Sequence, residues 1–164
     1  MIEPVVLILI GAVMIAGAVY DATTLTIPNW ISGLLLGLFP IAAFVAGLSW
    51  AEAGIHVGVG FAALLAGMGL FAAGTIGGGD AKLFAAIALY VGATAFGFYL
   101  FAVALAGGVL AVLFLAMRWV ASASANTRFS RLGTFIKVGP GIPYGVAIAA
   151  GGLFVLPATR LFTA

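Results

Sequence analysis

From Ala81 to Met117 the chain is a single apolar run whose only charge is Lys82. A membrane-crossing helix needs about 20 apolar residues, so this run is too long for one span and long enough for two. A soluble domain could not bury it. The composition extends the same argument to the whole chain. Of 164 residues, 65% are hydrophobic and 6% charged, with a mean hydropathy of +1.35. Soluble domains carry about a quarter charged residues. The expected class is an all-α polytopic membrane protein, a compact bundle of six transmembrane helices. It forms a single domain over 1–164, with no stretch left for a separate soluble one.

Polar breaks place the six spans. The first is 4–20; a basic region ahead of it is missing, so it reads as a retained helix rather than a signal peptide. Asp21 opens the first break, and Pro28 and Trp30 suit a helix start at the membrane interface. The second span is 29–48, with Pro40 expected to kink it. The third is 54–73. Gly92-Ala93-Thr94 splits the long run into a short fourth helix, 81–91, and a fifth, 95–117. A basic loop over 118–140 leads to the sixth, 142–156. Small residues four apart (Gly33/Gly37, Gly54/Gly58, Ala63/Gly67, Ala104/Gly108) suggest close helix packing.

With an even number of spans both termini share a side. Placing them outside puts Lys82, Arg118, Arg128, Arg131 and Lys137 inside and leaves Arg160 outside, the usual cytoplasmic excess of basic residues. Asp21 and Asp80 then reach the cytoplasmic face, while Glu3 and Glu52 lie opposite. The chain has no cysteine, which excludes a disulfide, a thiol nucleophile or a cysteine-based zinc module. His56, the one histidine, has no HExxH context and reads as an interfacial or hydrogen-bonded residue rather than a metal ligand. No cofactor or metal is expected.

The chemistry concentrates at Gly74-Thr75-Ile76-Gly77-Gly78-Gly79-Asp80-Ala81-Lys82. Three glycines allow a sharp turn, and a helix restarting at Ala81 would make Asp80 its N-cap. A carboxylate at membrane depth is costly and marks a functional site. If Asp21 and Asp80 meet, both cannot ionise easily and they share a proton. One carboxyl can then draw a proton from water while the other donates to a carbonyl oxygen, as in aspartic proteases. Asp80 at a helix N-terminus leans towards the ionised base and Asp21 at a helix C-terminus towards the proton carrier, although a coupled pair titrates as a unit. A small transporter or proton-conducting protein could also use two aspartates, and a scaffold would need only the cap. Two features favour the protease: no inverted repeat is visible, and both aspartates lie at span ends.

Three motifs in order carry a resemblance. Gly77-Gly78-Gly79-Asp80 is a GxGD motif followed by Ala81-Lys82-Leu83. Asp21 precedes Ile27-Pro28-Asn29, and Ile142-Pro143-Tyr144-Gly145 opens the last span. Together they resemble the type IV prepilin peptidases, in particular the small form associated with Flp/Tad pili. The resemblance implies a six-helix GxGD aspartyl protease of a bacterial inner membrane, with catalytic aspartates at Asp21 and Asp80. Gly77, Gly78, Gly79, Lys82, Pro28, Asn29, Pro143 and Tyr144 would be supporting motif residues. Its partners would be prepilins, cut at the cytoplasmic face between a short basic leader and a hydrophobic helix, with no role for nucleic acid. Two departures stand out. The cysteine-bearing insert linked to N-methylation is missing, so no methyltransferase activity is expected. Ala22-Thr23-Thr24 follows the first aspartate where arginines are common.

Overall fold

The computed structural model describes residues 2–123, 141–159 and 161. Among these there is no strand. Helices α1 (Ile2–Thr24), α2 (Asn29–Val45), α3 (Trp50–Ala72), α4 (Gly78–Ala123) and α5 (Tyr144–Val155) are followed by a 3-10 turn, Leu156–Ala158. α1, α3 and α4 are long and apolar enough to cross a membrane; α2 and α5 are shorter apolar helices. The basic loop expected over 118–140 lies outside the described residues from 124 on, as does Arg160.

α4 is two helices in one. Gly92 has φ +68° and ψ 179°, a backbone conformation open essentially to glycine alone. Across this break Phe84 stacks on Tyr99 with ring centroids 5.2 Å apart. In a continuous helix fifteen residues would separate them by about 22 Å. The chain therefore doubles back at Gly92, and the arms 78–91 and 93–123 pack side by side. The break expected at Gly92–Thr94 falls on its first residue. His56 explains how the break is tolerated. Its buried ring lies against Gly92, and Nδ1 is 2.8 Å from the Leu89 carbonyl oxygen. A carbonyl only accepts, so Nδ1 carries the proton.

The first arm of α4 and α5 form the centre. Leu83 and Ala85–Val91 are buried, as are Gly145, Ala147–Ala149, Gly151 and Gly152. α5 packs on both α4 and α1, α3 packs on α4, and α2 packs on α1 and α4. A Cβ at Gly151 would meet the Val103 backbone nitrogen at 2.9 Å, and one at Gly152 would meet Ile87 Cγ2 at 2.7 Å, so α5 approaches the backbone of the second arm and the side chains of the first. The Tyr90 hydroxyl donates to the Leu35 carbonyl and pins the first arm to α2.

The small-residue pattern is mostly not packing. Ala63/Gly67 does form a seam, where a Cβ at Gly67 would lie 3.0 Å from Ala81 Cβ. Gly33, Gly37, Gly54, Gly58 and Gly108 face open space. Helix ends also differ from expectation. α1 runs through Asp21 to Thr24, and Pro28 is the N-cap of α2 rather than its first residue. α2 continues through Pro40. α3 starts at Trp50 because Ser49 and Glu52 form a capping box, with Glu52 Oε2 accepting from the Ser49 N–H at 3.0 Å.

Candidate active site

The turn from α3 into α4 brings Asp80 into place. α3 ends in a Schellman motif: Thr75 N–H donates to the Leu70 carbonyl at 3.0 Å, Gly74 N–H to that of Phe71 at 2.9 Å, and Gly74 takes φ +71°. The left-handed residue is thus Gly74, not one of the three consecutive glycines. α4 begins at Gly78 with Gly77 as its cap, whose carbonyl accepts from Ala81 N–H at 3.1 Å. Asp80 is therefore the third residue of the helix and not its cap. Its Oδ2 reaches back to accept from the Gly77 N–H at 3.2 Å, the side-chain half of a capping box.

The three glycines matter for space. A Cβ at Gly79 would lie 3.1 Å from Ile27 Cβ and 3.3 Å from the Ile27 carbonyl oxygen. A Cβ at Gly77 would lie 2.9 Å from Asp80 Oδ2. Gly78 has more room, with Phe71 Cε2 at 3.4 Å.

Asp21 projects from the last turn of α1 and is 4% exposed. The N–H of Gly145, second residue of α5, donates to its Oδ2 at 2.6 Å. Pro143, buried, caps that helix. The dipole argument that separated the two aspartates therefore fails. Asp21 sits at the end of its own helix but against the start of another, so both carboxylates meet a helix N-terminus, where backbone donors favour anions.

Asp21 and Asp80 line one cavity of about 270 Å³ with Leu25, Thr26, Ile27, Gly77, Gly78 and Gly79. Liquid water occupies about 30 Å³ per molecule, so the cavity has room for several waters between and beside the carboxyls. Lys82 is not part of it. Its exposed Nζ donates to Asn29 Oδ1 at 2.8 Å and ties α4 to the start of α2. Pro28 is the N-cap of α2, and the side chain of Tyr144 is 40% exposed and does not line the cavity.

Two site residues escaped the list drawn from sequence. Gly145 was visible only as a member of its motif; its role is a backbone donor that no side chain reveals. Ile27 is the wedge between the starts of α4 and α5. It touches Gly79 on one side, and its Cδ1 would lie 2.7 Å from a Cβ at Gly145 on the other. Among the described residues no group of three His, Cys, Asp or Glu could hold a metal ion.

The model of the type IV leader peptidase family matches residues 8–112, a stretch that holds both aspartates and well over half of the chain. No curated protein and no solved structure matches the chain. The chain belongs to the type IV leader peptidase family.

Proposed function

We propose that this chain is a membrane aspartic endopeptidase that removes the short basic leader from type IV prepilins of the Flp/Tad kind. The observation that carries this reading is the shared cavity of Asp21 and Asp80, each held by a backbone N–H at a helix start. With one proton between the two carboxyls, the ionised one takes a proton from a water as that water adds to the scissile carbonyl. The protonated one donates to the carbonyl oxygen. The resulting diol collapses: the departing amine takes its proton from the carboxyl that received one, and the other carboxyl takes back a diol hydroxyl proton as the carbonyl reforms, which restores the one-proton dyad. The Gly145 and Gly77 N–H groups hold the two carboxyls in place and need no movement during the reaction.

The reading places the site at the cytoplasmic face of a bacterial inner membrane, with six spans (the two arms of α4 counted separately) and both termini outside. The motivation is the charge distribution of the sequence. Single cysteines at Ser124 and Ala164 should then label from opposite sides of the membrane, and labelling from one side would reject this topology. For the chemistry, Asp21→Asn and Asp80→Asn should each abolish maturation of a co-expressed prepilin at matched membrane levels. Maturation near the parent rate in either variant would reject the dyad.

A further inference from the structure

A second cavity, larger and almost wholly apolar, adjoins the dyad. It is a groove of about 850 Å³ to which three helices each contribute one face. The first arm of α4 forms the floor with Gly78, Ala81, Lys82, Ala85, Ala86 and Leu89, spaced as one stripe over three turns, or about 16 Å. The walls are α2, through Gly33 and Leu36, and α3, through Phe61 and Met68. α2 and α3 follow one another in sequence yet scarcely touch. They converge towards the turn 46–49, where Phe39 meets His56 at 6.0 Å, and stand apart towards Asn29 and Phe71.

We propose that this groove seats the apolar helix of the substrate, the segment that follows the scissile bond, and so fixes which bond reaches the dyad. The inference rests on the peptidase reading above. Three observations support a peptide helix as the occupant. The groove and the dyad cavity both reach Gly78, so the groove ends beside the carboxylates at the start of α4. Beside the seam where Ala81 already meets Gly67 of α3, the floor offers Gly78 and Ala86, small residues that let a helix backbone approach closely. The polar groups gather at the dyad end, where Lys82 is held by Asn29. That ammonium repels a basic leader and leaves the groove to the apolar side of the cleavage point. The enclosed apolar surface therefore selects substrates by their membrane helix, while the leader lies away from Lys82.

Gly33 provides the test. A Cβ there meets no atom within 4 Å, so a larger side chain enters the groove without displacing the fold. Gly37 is equally open but does not line the groove. With the full chain in membranes and a co-expressed type IV prepilin, Gly33→Leu is expected to slow maturation about tenfold. Gly37→Leu should stay within about twofold of the parent. The parent chain has no cysteine. Leu36→Cys and Phe61→Cys, each in an Asp80→Asn background that holds substrate uncut, should crosslink to a cysteine in the prepilin's apolar helix. Phe101→Cys, exposed on the second arm of α4, should not. Normal maturation by Gly33→Leu without these crosslinks, as a lipid-filled groove would give, overturns the groove assignment while leaving the peptidase intact. Crosslinking between two copies of the chain at Leu36→Cys also overturns it. Absence of maturation by the parent overturns the peptidase reading and this inference with it.

Discussion

Gly145 and Asp21 are 124 positions apart in sequence and joined by a 2.6 Å hydrogen bond, from the first turn of α5 to the last turn of α1. The bond does two things. It gives a buried carboxylate a backbone partner, and it sets the side chain's direction by a group that cannot rotate. A carboxylate buried without such a partner would be costly, and one held only by another side chain would be less exactly aimed.

Gly145→Ala should therefore disable the site without touching either aspartate. The new Cβ would lie 2.7 Å from Ile27 Cδ1, 2.8 Å from Asp21 Oδ2 and 3.0 Å from Asp21 Cβ. Something must move, and the carboxyl is the group displaced. An error of about 1 Å in placing a catalytic group costs on the order of a hundredfold. The expected result is prepilin maturation reduced by about that factor, with destabilisation limited to about 1–3 kcal/mol as in other overpacked sites. Full activity in the variant would show that the Gly145 bond does not position Asp21.

The three consecutive glycines should not be equivalent. Gly79→Ala pushes against the Ile27 backbone at 3.3 Å, which cannot yield as a side-chain tip can. Gly77→Ala pushes on the Asp80 carboxylate itself at 2.9 Å. Gly78→Ala meets only Phe71 at an ordinary 3.4 Å. Maturation assays on the three variants should show Gly78→Ala the least impaired and the other two strongly impaired. Equal loss in all three would mean that backbone freedom, rather than space, is what the glycines supply.

The aspartates were legible in the sequence because ionisable groups are conspicuous in a chain that is 6% charged. The break in the long apolar run was legible too, since 37 residues cannot form one span and Gly92 interrupts the run. Other features depended on tertiary contacts that periodicity cannot carry. Asp21 looked like a helix C-terminal residue, and nothing local indicated that α5 would start against it. Gly33 and Gly37 look like a packing motif as much as Ala63 and Gly67 do, yet only the second pair meets a neighbouring helix. Local sequence also suggests Asp80 as the cap, which puts the N-terminus of α4 one turn too late; Gly77 fills that position and Asp80 reaches back to it.

The reversal at Gly92 predicts a stability pair. Gly92→Ala places a Cβ 2.5 Å from His56 Cε1 in a backbone conformation that L residues rarely adopt. His56→Ala removes the clash but leaves the buried Leu89 carbonyl without the ring that now donates to it, at a cost of about 1–3 kcal/mol. Thermal unfolding in detergent should show both single variants destabilised. It should also show Gly92→Ala with His56→Ala less destabilised than the sum, because the two residues touch. Strict additivity would mean that the ring and the break are independent.

Asp21 and Asp80 should behave as one unit. The proposed reaction needs an ionised and a protonated carboxyl together, so losing either leaves nothing for the other to do. The double variant Asp21→Asn/Asp80→Asn should then be no worse than either single one, since residues acting as a unit are strongly non-additive. Asp21→Glu and Asp80→Glu should also be poor. The extra methylene moves the carboxyl away from the backbone N–H that holds it, that of Gly145 or Gly77, and misplacement of about 1 Å is already severe. Glu52→Gln is the matched control. It keeps the acceptor that the Ser49 N–H requires and should mature prepilin at the parent rate. Rates for all six variants at equal membrane expression decide the matter. If the two aspartate substitutions multiply rather than saturate, the residues contribute separately, and a proton-sharing dyad is the wrong mechanism.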